Sequence, residues 1–332
     1  MEAVLAILAV TLLETSLYIS FVLCYTVLQR IELEVLATVD RGDTISELAT
    51  KVDHSESYLS RAVGDLVEKG LVYTERDGRQ KRVIPSDARA VERYQDLVRQ
   101  HSHIDFPELL TGKVLELLYY LDQPRTVADI ADRTDNYRNT VNRILKRFRD
   151  RGLVGSDEGR YDFNADFDYL HEFARELVHH SHRQRLESVA PKGTILWENY
   201  NEFLAQTETE IDVEGFHETG LARFAVFDLQ FLLTGHRYYL FSEEIDVVSP
   251  AELCCHTLLI DDGSRHRSYC LLLLSHVDVD EDDLREQAAT YGLEDETHAL
   301  LRYLETHGDC DDDRLPEWSE FQKLAADYEI EH

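Results

Sequence analysis

The chain has 332 residues, with 34 Lys and Arg against 65 Asp and Glu, and a formal net charge of −31 with His neutral. That length holds roughly two to three domains at ~100–200 residues each. Its 43% hydrophobic content excludes a wholly disordered acidic chain, and 15 Gly with 6 Pro exclude collagen-like and Pro-rich classes.

The first 29 residues are apolar. Residues 3–28 carry one acid, Glu14, and no basic residue. At 1.5 Å per residue this stretch is long enough for a ~30 Å hydrocarbon core, and two readings stand. One is a membrane anchor with Arg30 on the cytoplasmic side, against which a carboxylate at mid-bilayer counts about 2.5–3.5 kcal/mol. The other is a buried helix, or two helices broken at Glu14-Thr15-Ser16, packed on the next domain or a second subunit. Five cysteines (Cys24, Cys254, Cys255, Cys270, Cys310) are too few and odd in number for a disulfide scaffold. A cytoplasmic protein is therefore expected, tethered if the anchor reading holds.

Residues 32–72 and 114–154 repeat one another without a gap at an offset of 82. Leu33/Leu115, Leu36/Leu118, Thr44/Thr126, Ala49/Ala131, Asp53/Asp135, Arg61/Arg143 and Gly70/Gly152 are identical pairs. In the first copy Leu33, Leu36 and Val39 fall at helical spacing. Thr44 with Glu47 reads as a capping box, echoed by Thr126 with Asp129. A turn at Asp53-His54 leads to a third helix with Leu59, Val63 and Leu66 inward, stopped by Gly70. Two alternating strands around Asp77-Gly78 follow, ended by Pro85; the second copy repeats them in shorter form around Asp157-Glu158-Gly159.

Helix, helix–turn–helix and hairpin is the winged-helix order. The stretch SYLSRAVGDLVEKGLVYTERDGRQKRV (57–83) resembles the recognition helix and wing of MarR- and TrmB-like archaeal regulators. The expected organisation is two winged helices, at 30–85 and 110–163, joined by a linker helix at 86–109. A connector helix at 164–190 and an acidic α+β domain at 191–332 complete the chain. The fold class is thus mainly α with small β wings.

Seven basic residues lie between 133 and 151 against only Asp135 and Asp150. With Val141, Leu145 and Phe148 inward, Arg138, Asn139, Asn142 and Arg143 are candidates to read bases: Arg pairs with guanine, Asn with adenine. Lys146 and Arg147 are placed for phosphates. In the first copy Ser57, Ser60 and Arg61 take the reading positions, and Arg76, Arg79, Lys81 and Arg82 form a basic wing. The partner implied is double-stranded DNA.

Between the copies, Ser86–Gln100 reads as a helix, and Pro107 suits the first turn of the next. Asn164 is a cap candidate for a helix to about Val189 that serves as a homodimerisation arm or a connector. Its His171, His179, His180 and His182 read as a solvated cluster rather than a metal site.

Residues 191–332 hold nine basic and 33 acidic residues. Strands are expected at Thr194–Trp197 and Arg237–Phe241, and helices at Thr219–Phe227, Pro250–Leu258 with Ser249 as cap, Asp280–Tyr291 and Glu294–His307. Ser268–Leu274 is a buried strand or helix. Asp278, Asp280 and Asp282 lack the Gly and Glu of a calcium loop, and Cys254-Cys255-His256 is not a zinc spacing. No catalytic, metal or cofactor site is expected. The helix following Ser249-Pro250 faintly resembles the second domain of AbiEi-type antitoxins, implying a partner-protein or small-molecule effector domain.

Twenty-seven Arg against seven Lys, one Met and the acidic excess resemble proteins of salt-in halophiles. The expected function is transcription regulation through DNA-binding tandem winged helices. The alternative is an antitoxin-like interaction module that regulates its own synthesis.

Overall fold

The computed structural model describes residues 27–330 other than 41, 79, 135, 233, 234, 310 and 311. All but two residues of the apolar 3–28 segment lie outside these, and so do its two readings. Among the described residues no helix is long and apolar enough to cross a membrane. The chain divides into two compact units, Met1–Gln184 and Arg185–His332.

In the first unit the repeat becomes a structural repeat. Copy 1 runs α1 (Arg30–Thr38), β1 (Asp43–Thr44), α2 (Ile45–Lys51), α3 (Glu56–Glu68), β2 (Val72–Asp77) and β3 (Gln80–Pro85). After α4 (Arg89–Gln100) and α5 (Phe106–Leu109), copy 2 runs α6 (Val114–Tyr119), β4 (Arg125–Thr126), α7 (Val127–Arg133), α8 (Arg138–Arg149), β5 (Val154–Asp157) and β6 (Arg160–Phe163). The sheets have the same order, β1-β3-β2 and β4-β6-β5, all antiparallel. In both, the threonine that ends the first strand caps the next helix: Glu47 N donates to Thr44 and Glu47 accepts from Thr44 N, and Asp129 does the same with Thr126. Those reciprocal bonds hold the Glu47 and Asp129 carboxyls below their ordinary range.

The inward stripes of α3 (Leu59, Val63, Leu66) and α8 (Val141, Leu145, Phe148) are buried, and α3 ends where Gly70 takes a φ of 62°. One apolar core runs through both copies and the helices between and after them, from Leu36 and Tyr94 to Leu118 and Leu177. The segment between the copies is thus packed structure: Val91, Tyr94 and Leu97 are buried. The last helix of this unit begins at Tyr169, in α9 (Tyr169–Val189), rather than at Asn164. Asn164 is used elsewhere: its amide donates to the Gly152 carbonyl and its N–H to Leu153, closing the hairpin. The histidines of α9 are not a solvated cluster. His182 is buried, His180 bonds the Lys69 carbonyl at 3.0 Å and His171 the Leu118 carbonyl at 3.2 Å, so they fasten α9 to both copies.

The second unit has a four-stranded antiparallel sheet, β7 (Thr194–Glu198), β8 (Phe203–Thr207), β9 (Phe216–Thr219) and β10 (Arg237–Phe241), in the order β7-β8-β10-β9. The segment expected as a helix at Thr219–Phe227 is a 3-10 helix from Gly220 to Phe227. Five helices follow: α10 (Pro250–Ile260), α11 (Ser264–His276), α12 (Glu281–Tyr291), α13 (Glu294–Glu305) and α14 (Trp318–Asp327). The open choice at Ser268–Leu274 resolves to the helix α11. Ser249 and Asp280 accept first-turn N–H bonds as caps of α10 and α12. Cys254, Cys255 and Cys270 are buried free thiols. His256 is fully buried between Thr219 Oγ1 (2.9 Å) and Tyr291 Oη (2.8 Å), and burial drives its pKa down to about 3.

Candidate nucleic-acid interface

The basic candidates separate by what their side chains touch. On α8, Arg138, Asn139, Asn142, Arg143 and Lys146 are exposed, at i, i+1, i+4, i+5 and i+8, and so share one face opposite Val141, Leu145 and Phe148. Arg138, Arg143 and Lys146 make no ion pair among the described residues. Asn142 Nδ2 donates back to the Arg138 carbonyl at 3.0 Å, which lodges its amide on the helix surface. This face carries three cations and no acid.

Arg147 does not join them. Its guanidinium donates to the carbonyls of Glu108 and Leu109 at the end of α5, and burial lowers its pKa from the ordinary value. Position i+9 places it on the flank that meets α5, so the group expected to bind phosphate instead satisfies helix-end carbonyls.

The wing of copy 1 divides similarly. Arg76 and Lys81 are exposed and directly opposite one another across β2 and β3, two like charges side by side. Arg79, at the turn, lies outside the described residues. Arg82 is partly exposed but engaged: Nη1 donates to the Gly42 carbonyl at 2.7 Å and Nε to Asp77 at 3.1 Å. Copy 2 has the same device. Arg82 pairs with Thr44 and Arg160 with Thr126 in the sheets, and Arg160 Nη1 donates to the Pro124 carbonyl at 3.2 Å. Each arginine ties a wing to the loop before its capping threonine, a structural use in place of the expected DNA contact for Arg82.

On α3 the positions matching the α8 face are Glu56, Ser57, Ser60, Arg61 and Gly64. Ser57, Ser60 and Arg61 are exposed, as reading residues must be, but Glu56 cancels the one charge. The turn before each of these helices is held alike. His54 Nε2 meets Glu34 at 2.9 Å in copy 1, and Asn136 Nδ2 meets Glu116 at 3.2 Å in copy 2. An acid on the first helix thus sets the angle at which the third is presented. Among the described residues no group of three or more His, Cys, Asp or Glu could hold a metal ion.

Residues 28–83 match the family model of the MarR family. The match spans copy 1 from α1 to the second wing strand, so this part of the chain is similar to a MarR winged helix, the fold of a class of non-enzymatic DNA-binding transcription regulators. Residues 213–330 match the model of a C-terminal domain family, HVO_2833_C. Neither match reaches copy 2. A comparison with curated proteins returns no match.

Proposed function

We propose that the protein is a transcription regulator in which both copies are winged helices, forming a built-in pseudo-dimer on double-stranded DNA. The observation that carries this reading is the exposed face of α8: three cations and two amides, acid-free, on the helix equivalent to α3 of the MarR-like copy. Arg143 reads guanine O6 and N7, Asn139 and Asn142 suit adenine, and Arg138 and Lys146 flank them toward phosphate. Ser57, Ser60 and Arg61 on α3, with Arg76, Arg79 and Lys81 on the first wing, supply the second set of contacts.

The acidic bulk is read as an adaptation to a salt-rich cell interior. At molar salt the Debye length is about 3 Å, so 33 acids beyond residue 190 would hardly repel DNA. The second unit is read as the effector or partner domain. In support, a cavity of about 330 Å³ has Arg237 and Arg265 in a lining that also includes His236, Tyr238, Asp261 and His266, a mixed polar site in a strongly acidic unit. That reading is tested by whether a small-molecule extract of the host changes DNA affinity.

The decisive experiment is a titration of genomic fragments enriched by the protein, followed by fluorescence anisotropy at several salt concentrations. Arg143→Ala is expected to weaken binding by about 1–3 kcal/mol and to relax preference at one base pair. An unchanged isotherm for Arg143→Ala at fixed salt would sink the assignment of α8.

A further inference from the structure

The residue that opens α8 differs in kind from the one that opens α3. Ser55 caps α3 by accepting the Tyr58 N–H on its side chain. At the same place, 82 residues on, copy 2 has Tyr137. Its backbone takes the same extended conformation, φ −60° and ψ 135° against −70° and 143°, but its side chain makes no capping bond. Aromatic residues do not cap helices, and losing a serine cap is destabilising. Burial does not offset that loss: Tyr137 is 86% exposed, whereas Tyr94, Tyr291 and Tyr303 are buried in the two cores. A large amphipathic ring thus stands in water at the N-terminal end of the acid-free basic helix, beside Arg138.

We infer that Tyr137 is a DNA-contacting residue whose ring packs on a thymine methyl at the edge of the groove read by α8. This rests on the DNA-binding reading above and adds a specificity element to it. The N-terminal residues of a recognition helix are those that meet base edges, and the thymine methyl is the apolar feature of the major groove. Ring and hydroxyl suit a place that is half apolar and half wet. In copy 1 the serine at this position keeps the cap and has no such reach.

Tyr137→Ser restores the cap of copy 1, so the fold is expected to melt at the same temperature or higher. Its affinity for an enriched genomic fragment should fall about fivefold or more, while Tyr137→Phe keeps most of it. The sharper test uses the same fragment synthesised with deoxyuridine in place of thymidine, which deletes the methyl alone. Wild type should lose affinity on that DNA, and Tyr137→Ser should lose little further. Equal losses for Tyr137→Phe and Tyr137→Ser would overturn the ring contact in favour of a hydroxyl–phosphate bond. A lower melting temperature for Tyr137→Ser would overturn it in favour of a structural role. If wild type binds and Arg143→Ala weakens it while Tyr137→Ser does not, this inference fails and the DNA reading stands. If wild type binds no fragment, the DNA reading itself fails.

Discussion

The two copies share a backbone and divide their charge oppositely. Copy 1 pairs a helix face of net zero (Glu56, Ser57, Ser60, Arg61, Gly64) with a long wing of net +2, in which Arg76, Arg79, Lys81 and Arg82 stand against Glu75 and Asp77. Copy 2 pairs a face of net +3 with a wing of four-residue strands holding Asp157, Glu158 and Asp162 against Arg160. The copies share what folds the unit, namely the capping box, the acid holding the turn and the arginine tying the wing. The surfaces proposed to meet DNA are what differ. Each copy therefore has one element of net positive charge, the wing in one and, more strongly, the helix in the other.

The copies also differ inside, and the largest effect is expected there. Lys69 Nζ lies 2.6 Å from Glu32 and 2.9 Å from the Val27 carbonyl, with both side chains buried. The equivalent positions in copy 2 are Val114, which is buried, and Arg151, which bridges loosely to Glu108 at 3.7 Å in partial exposure. Lys69→Ala strands a buried carboxylate and should lower the unfolding free energy by about 3–5 kcal/mol in denaturant melts. Glu32→Val with Lys69→Met, which removes both buried charges together, should recover most of it. Arg151→Ala should change stability by less than ~1 kcal/mol. Equal costs for Lys69→Ala and Arg151→Ala would erase this distinction between the copies.

Exchanging charge between the faces comes next. Arg138→Glu installs the residue of copy 1 in copy 2 and should weaken DNA binding about tenfold to a hundredfold. Glu56→Arg, the reverse exchange, should strengthen it. If both variants bind like wild type, the α8 face is not the contact. A smaller effect is expected at the wing: Arg76→Ala with Lys81→Ala should cut affinity about tenfold at low salt and reduce the slope of log affinity against log salt by up to about 2. The loss should be the same for every fragment, because phosphate contacts position without reading sequence. A sequence-dependent loss would move this wing from positioning to reading.

Much of this architecture was legible in the sequence because it is written in local patterns. The offset of 82, Thr44 with Glu47, Gly70 after a helical stripe and Asp77-Gly78 between alternating strands each act over a few residues. What escaped depends on groups far apart in the chain. Arg82 reads as a free wing cation until a two-residue strand brings the Gly42 carbonyl beside it. Arg147 reads as a phosphate ligand until α5, 38 residues earlier, offers its terminal carbonyl. The strand Phe203–Thr207 shows no polar alternation because four of its five residues are buried, so both faces are covered. His182 looked solvated for want of knowing what its helix packs against. Tyr137 stands out only beside Ser55, once the register of the two copies aligns them.

The caps give the smallest effect and the most even one. Thr44→Ala and Thr126→Ala each remove a side-chain acceptor from a first-turn N–H, and each should cost about 1 kcal/mol of unfolding free energy. The sequence makes Thr126 with Asp129 the weaker pair, because a shorter acid reaches less far back than Glu47. The geometry narrows that difference: the returning bonds to the threonine N–H are 2.8 Å for Glu47 and 3.1 Å for Asp129. Both carboxyls titrate below their ordinary range, so each contributes stability that is present above its unfolded pKa and lost as pH falls through the folded one. At pH 7 the two Ala variants should melt alike, and most of each loss should persist in acid, because the missing hydroxyl acceptor does not titrate and Ala keeps the backbone N–H that meets the carboxylate. Near-equality is expected, since one shared core couples the copies and would let neither cap fail locally without loosening the other. A Thr44→Ala variant that loses several times more than Thr126→Ala would mean that copy 1 alone limits the stability of the unit.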